Sequence, residues 1–315
     1  MSLAGIDVNL LVALDVLLEE RHVTRAARRM GITQSAMSQT LQRVRELLDD
    51  PLLIRRGTVM VPSPRAEALT GPLRKALRAL ETTVYAVDAF EPASARTTFR
   101  VALFDVYALS LVPKLVARLS SEAPGVRLEV VPIDMGRVVE QQRNGDVDVA
   151  LLVPREFPSD IDHQPLIPET MVAMARTGHP ILAHGRPPDL EDVVQWPHLT
   201  VRITGRGHTA VDEQLAARGS ARRVRAQVAY FLAAPAVVCA SDLIAAVPLT
   251  AAVAFAQRWP VALFPYPAGP LPYTVSMTWA RHLDADPAQV WLRGCIRAAA
   301  REVIDERDQG WAVPS

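Results

Sequence analysis

The sequence predicts an α/β multi-domain protein: an N-terminal winged helix-turn-helix, a long linker helix and a larger two-part α/β body. Three observations carry this reading. Positive charge is concentrated near the start of a neutral chain, an apolar stripe at four- and three-residue steps follows, and the rest alternates strand and helix periods. The chain has 315 residues, half of them apolar, enough to bury the cores of about two or three domains of roughly 100–200 residues.

The charge is segregated. The chain carries 34 basic and 34 acidic side chains, yet residues 21–78 hold twelve basic against four acidic ones, a surplus of eight. A basic block balanced by an acidic remainder points to a polyanion partner for one domain only; a solvated helix face is the alternative. The apolar start lacks a basic leader, its first cation being Arg21, and Asp7 and Asp15 interrupt it, so it does not read as a signal peptide. No apolar run reaches the ~20 residues of a membrane-spanning helix. Cys239 and Cys295 lie in apolar helical contexts and do not make a disulfide framework. The expectation is a soluble cytoplasmic protein.

Leu10, Leu11, Leu14, Leu17 and Leu18 recur at helical spacing and predict a first amphipathic helix. Thr24 is the expected N-cap of a short second helix through Met30, stopped by Gly31, which tolerates left-handed backbone angles. Thr33 caps a third helix with Ala36, Met37, Leu41, Val44, Leu47 and Leu48 on its apolar face. Two helices joined by a short Gly-containing turn form a helix-turn-helix, and small Ala27 permits their close crossing. In such a unit the second helix lies in the major groove with its N-terminal residues toward base edges. Gln34, Ser35, Ser38 and Gln39 stand there; Gln can bond adenine bidentately and Ser can bond either way. Arg43 and Arg45, further along, are expected at phosphates. After Pro51, "LLIRRGTVMVPS" alternates β-formers around "RRG" and predicts a hairpin wing that brings Arg55 and Arg56 to the sugar-phosphate backbone. Thr33 and Arg65 complete the expected DNA-contact set.

Residues 7–92, with "DVNLLVALDVLLEERHVTRAARRMGITQSAMSQTLQRVRELLDDPLLIRRGTVMVPSPRAEAL" as the matching run, resemble the DNA-binding part of LysR-type transcriptional regulators. "DPLLIRRG" and "PSPRA" resemble the branch of nodulation and aromatic-degradation regulators. Ser35 departs from the proline common there, which implies altered base contacts with the fold kept. From Pro64, Leu69, Leu73, Leu77, Leu80, Val84 and Val87 step by four, four, three, four and three, a seam for a partner helix or for the helix's own domain. The resemblance implies the former: a linker helix over 64–90 that pairs two subunits, with a tetramer favoured. The head then spans 1–63, and the Pro/Ala/Ser-rich stretch from Glu91 makes 91–98 a hinge.

Beyond the hinge "FRVALF", "VRLEVVPI" and "VDVALLV" read as strands, separated by helices at "SLVPKLVARLSSEA" and "GRVVEQQRNG", a βαβαβ run with parallel strands. A second set begins near Thr170, with strands at "TMVAMAR", "HLTVRI", "RRVRAQV" and "LIAAVP" and helices at "LEDVVQ" and from His208 to Arg218. "YTVSMTWA" and a last helix from Pro287 close the chain. The resemblance continues here and implies a periplasmic-binding-protein-like effector domain over 99–305. One lobe takes 99–167 and 271–305, the other 168–270, with a tail at 306–315. Ligands of such modules sit between lobes at strand carboxyl ends and helix N-termini. By the family's pattern the pocket residues are Asp105, Tyr107, Ser110, Asp134, Glu169, Thr170, Arg202, His208, Phe231 and Thr278. Three of these are acids, so hydroxylated or amine-bearing ligands stand beside the aromatic acids that the branch suggests.

Rival chemistry finds little support. "GRGHTA" at 205–210 fits a dinucleotide-binding turn, but no acid occurs between Glu213 and Asp242 to hold a ribose. Zincin, C-x-x-C, Walker A and nucleophile-elbow motifs are absent, and the seven histidines are scattered. No cofactor, metal or enzymatic activity is expected. Two function classes remain: a ligand-responsive, oligomeric DNA-binding regulator, and a small-molecule binding protein whose N-terminal helices serve assembly.

Overall fold

The structure, a computed structural model, describes residues 7–56, 59–85, 90–153, 156–184, 186–202 and 209–311. It divides into two compact units, residues 1–89 with 139–147, and 90–138 with 148–315.

The first unit opens with α1 (Val8–Glu20), α2 (Val23–Arg29) and α3 (Gln34–Leu48). Asp7 starts α1 by accepting from Asn9 N at 3.0 Å. Its buried stripe is Leu10, Ala13, Leu14, Leu17 and Leu18, with Ala13 where Leu11 was expected; Leu11 is only half-buried. Helix α2 starts two positions earlier than predicted. Its N-cap is His22, which makes no side-chain cap bond, and Thr24 lies inside the helix. Gly31 turns the chain at φ +66°, and Thr33 Oγ1 accepts from Ala36 N at 3.2 Å to open α3. Met37, Leu41 and Val44 of α3 meet Ala26 and Ala27 of α2 and the α1 leucines in one core. Strands β1 (Leu53–Arg56) and β2 (Val59–Pro62) form the antiparallel wing, and α4 (Pro64–Tyr85) follows. Leu73 of α4 packs on the head's core, and Arg74 pairs with Asp15 at 2.9 Å.

The second unit contains β3 (Thr98–Leu103), α5 (Asp105–Ala108), α6 (Leu111–Glu122) and β4 (Arg127–Pro132). After α7 (Val138–Arg143), most of which groups with the first unit, come β5 (Val149–Leu152), β6 (Ile161–Glu169), β7 (Met171–Arg176), α8 (Leu190–Gln195) and β8 (Pro197–Val201). Then follow α9 (Ala210–Ala216), β9 (Arg223–Val228), α10 (Ala234–Cys239), β10 (Ile244–Pro248), α11 (Leu249–Ala256), β11 (Val261–Pro265), β12 (Tyr273–Ala280) and α12 (Pro287–Gly310). Two five-stranded sheets result, in the orders β4-β3-β5-β12-β6 and β9-β8-β10-β7-β11. Each has three parallel strands, then one strand that runs against them, then an edge strand that again runs with the trio, so the two lobes repeat one topology. The parallel trios are the βαβ pattern of the sequence. The reversal comes from crossing between lobes, which the chain does once from β6 into β7 and once from β11 into β12. Strand β6, half-exposed and interrupted by Pro165 and Pro168, carried no legible alternation. Helix α11 was also missed, because Leu249 to Phe255 are all buried and such a helix shows no amphipathic period. Among the described residues no helix is long and apolar enough to cross a membrane.

Candidate nucleic-acid interface and ligand cleft

The head presents the N-terminal turn of α3. Gln34, Ser35, Ser38 and Gln39 are exposed while Met37, Leu41 and Val44 face the core. No acid stands in that first turn, so its unpaired N–H groups and dipole favour an anion. Thr33 is held as the cap and by a 2.9 Å hydrogen bond with the Ser35 hydroxyl. Gln34 Nε2 lies 3.4 Å from Ser38 Oγ, a weak bond readily exchanged for a base edge.

The arginines divide into two groups. Arg45, expected at phosphates, instead donates to Pro51 O at 2.8 Å and Leu53 O at 3.1 Å, and thereby ties the wing to α3. Arg25 and Arg29 pair with Glu20 and Glu19, so part of the basic block is neutralised within the head. Arg43, Arg55, Arg56 and Arg65 are exposed. Arg28, absent from the expected set, is also exposed and pairs with no acid among the described residues; its charge was legible, its freedom was not. At the wing's base Asp50 accepts from Ser63 Oγ at 2.5 Å and from Leu52 N at 2.7 Å, and the Ser63 hydroxyl holds its carboxyl below the usual range.

In the second unit a cavity of about 370 Å³ lies between the two sheets. Its wall is apolar: Phe104 and Val106 after β3, Leu152 at the end of β5, Met171, Pro248 and Leu271. Two phenols supply the polar edge. The Tyr107 and Tyr273 phenols lie close together, and burial pushes both well above the ordinary tyrosine range, so both are neutral at physiological pH. Thr209 also lines the cavity, but its hydroxyl is committed. It donates to Asp212 Oδ2 at 2.8 Å and accepts from Arg222 Nη2 at 3.0 Å, and Arg222 in turn grips Asp212 Oδ1 at 2.7 Å.

Of the expected pocket residues, Tyr107 and Phe231 line this cavity. Asp105 borders it and accepts from Leu232 N at 2.8 Å, clasping the second lobe's turn at 231–233; burial raises its carboxyl's pKa. Glu169 and Thr170 hold the crossover. Glu169 accepts from Thr170 N and Thr250 N, both at 3.2 Å, and Thr170 Oγ1 accepts from Leu271 N at 3.3 Å. The remainder lie elsewhere. Ser110 faces a different cavity beside α6. Asp134 is exposed and closes its own turn on Gly136 N. Arg202 lines an outer groove beside α9. Thr278 is buried in the first sheet, its hydroxyl on Ala150 O. His208, with most of "GRGHTA", lies outside the described residues. Phe104, Leu152 and Pro248 stand at the ends of strands that the sequence displays, but as apolar residues they carry no signal of a binding role.

The sequence profile of the LysR substrate binding domain matches residues 92–301, and that of the bacterial regulatory helix-turn-helix protein, lysR family, matches residues 8–67. Nodulation protein D of a Bradyrhizobium is 34% identical over 309 residues, covering 97% of this chain and 90% of that protein. The HTH-type transcriptional activator NagR of a Ralstonia is 32% identical over 293 residues, covering 93% of this chain and 97% of its own length. The crystal structure of a probable transcriptional regulator of Pseudomonas aeruginosa superimposes with a TM-score of 0.77 at 34% identity, over 94% of this chain and 98% of the other.

Proposed function

This chain belongs to the LysR family of DNA-binding transcriptional regulators, and from that premise we propose that α3 reads base edges while a small apolar effector in the cleft between the sheets sets the response. The family relatives are transcriptional regulators, which sets aside a binding protein with assembly helices only.

The cleft's lining carries the effector reading. A wall of Phe104, Val106, Leu152, Met171, Pro248 and Leu271, edged by two neutral phenols, favours an apolar or aromatic body with one or two acceptors for the tyrosines. The expected preference for hydroxylated or amine-bearing ligands rested on Asp105, Asp134 and Glu169. None of the three lines the cleft, Asp105 and Glu169 hold backbone N–H groups and Asp134 is exposed, so for the cleft that preference is withdrawn.

Gln34, Ser35, Ser38 and Gln39 are assigned to bases, and Arg28, Arg43, Arg55, Arg56 and Arg65 to the backbone, with Thr33 fixing the helix start. The protein acts in the cytoplasm as a homodimer paired through α4, with a tetramer as the favoured assembly. A gel-shift titration against its own promoter region tests the head: salt-sensitive binding, tighter than to random DNA, supports it, and equal affinity for both sequences rejects base readout. Thermal shift of the full chain with a panel of small aromatic acids tests the cleft.

A further inference from the structure

The same compact unit contains a second cavity, of about 520 Å³, with no lining residue in common with the cleft. Three helices wall it, α6 and α12 from the first lobe and α11 from the second. They contribute faces at three- and four-residue spacing: Thr250 and Val253 on α11 with Gln257 at its C-cap, and Val303, Glu306 and Arg307 on α12. Helices α11 and α12 meet closely at Gly310, where a Cβ would come within 2.6 Å of Val253 Cγ1.

Two features set this cavity apart from an ordinary groove. The first is its floor. Ser110 Oγ, at the start of α6, and Thr250 Oγ1, at the start of α11, are buried without a hydrogen-bond partner among the described residues. Glu169, not a lining residue, lies close to the Thr250 hydroxyl but outside hydrogen-bond geometry. Thr250 itself is 2% exposed. Buried polar atoms are almost always partnered, so two orphan hydroxyls, one from each lobe, call for a polar guest. The second feature is the rim. Lys114 pairs with Glu306 and Arg307 with Asp308, whereas Arg258 donates only to Ala254 O and Gln257 Oε1 and has no carboxylate partner among the described residues. Its guanidinium is free for a bidentate carboxylate.

We propose that this cavity is a second ligand site, for a short organic acid that also carries a hydroxyl or ammonium group. The carboxylate meets Arg258, the carbon skeleton lies on Val253 and Val303, and the hydroxyl or ammonium meets the Ser110 and Thr250 hydroxyls. Such a ligand touches helices of both lobes, so its binding biases the angle between them and couples reciprocally to whatever fills the cleft. The site does not depend on the effector reading of the cleft.

Calorimetric titration of the full chain with L-malate and L-glutamate tests this against succinate and glutarate, the same skeletons without the hydroxyl or ammonium. At least one of the first pair should bind saturably below about 10 mM, and tenfold or more tighter than its deleted analogue. Arg258→Ala, at an exposed position that leaves folding intact, should weaken that binding tenfold or more, and Arg258→Lys should retain part of it. Phe231→Ala, in the cleft, should leave it unchanged. No saturable binding by either acid, equal affinity for the deleted analogue, or binding lost in Phe231→Ala and kept in Arg258→Ala would overturn the proposal.

Discussion

Gln34 and Arg55 are both exposed on the head, but they face different parts of DNA by this reading. Gln34→Ala should cost about 1–3 kcal/mol on the operator and little on random sequence. Equal losses on both would count against base contact. Arg55→Ala should weaken every sequence alike and lower the slope of log K against log salt by about one; an unchanged slope removes Arg55 from the backbone contacts. A different residue-scale effect belongs to His198, fully buried in strand β8 of the second sheet, with Nε2 donating to Val193 O at 3.1 Å. Burial, reinforced by the Arg222 charge, holds its pKa down to about 4. The unfolded chain takes up this proton near pH 6.5 and the folded one refuses it until about 4. Stability is therefore lost as pH falls from about 6.5 to 4 and is flat above. His198→Gln keeps the donor to Val193 and removes the titration, so urea midpoints at pH 7 and 5 should differ less in the variant. A difference as large as in the wild type would reassign that slope. Asp212, pushed down to about 2 by Arg222 and Thr209, loses its contribution only below about pH 4, so the two windows separate.

Helix α4 carries the element-scale question. The stripe of Leu69, Leu73, Leu77 and Leu80 is one pattern in sequence but two surfaces in the fold. Leu73 joins the head's core, whereas Leu80 is 40% exposed; Val84 and Val87 lie outside the described side chains. Leu73→Ala should destabilise the head by about 1–3 kcal/mol, less than a fully buried leucine costs, and leave the native mass unchanged. Leu80→Glu should do the reverse, lowering the native mass with little loss of head stability, because it places a charge in the proposed seam. A native mass unaffected by Leu80→Glu would remove α4 as the dimer contact. The wing shows the same division of labour. Its strands were legible from alternation around "RRG", but the use of Arg45 as a staple was not, because backbone carbonyls six and eight residues away have no sequence signature.

For the whole molecule the effector is the variable. A ligand that binds only the folded cleft raises stability by about 2.7 kcal/mol at a hundred times its Kd. Phe231→Ala should abolish that rise, with operator affinity retained, since the substitution touches the cleft wall and not the head. A normal shift in Phe231→Ala would place the effector elsewhere. Regulation further requires that the ligand bind two conformations of the lobes unequally. The clasp of Asp105 on Leu232 N and the crossover bonds of Glu169 and Thr170 are the contacts that such a change must strain or spare.

The sequence by itself determined the helix-turn-helix, its cap at Thr33, the hairpin wing and the parallel trio in each lobe. These rest on local periods and on caps, which act within a few residues and so leave a local trace. It also exposed the family resemblance, carried by an unbroken run of matching residues through the head. Only the tertiary structure decided that the cleft is apolar, that Ser110, Arg202 and Thr278 lie away from it, and that Glu169 and Thr209 are spent on holding backbone and ion pairs. Those outcomes depend on which partners distant segments bring to a side chain. A buried acid that holds a helix N-terminus about eighty residues on reads in sequence the same as an acid awaiting a ligand.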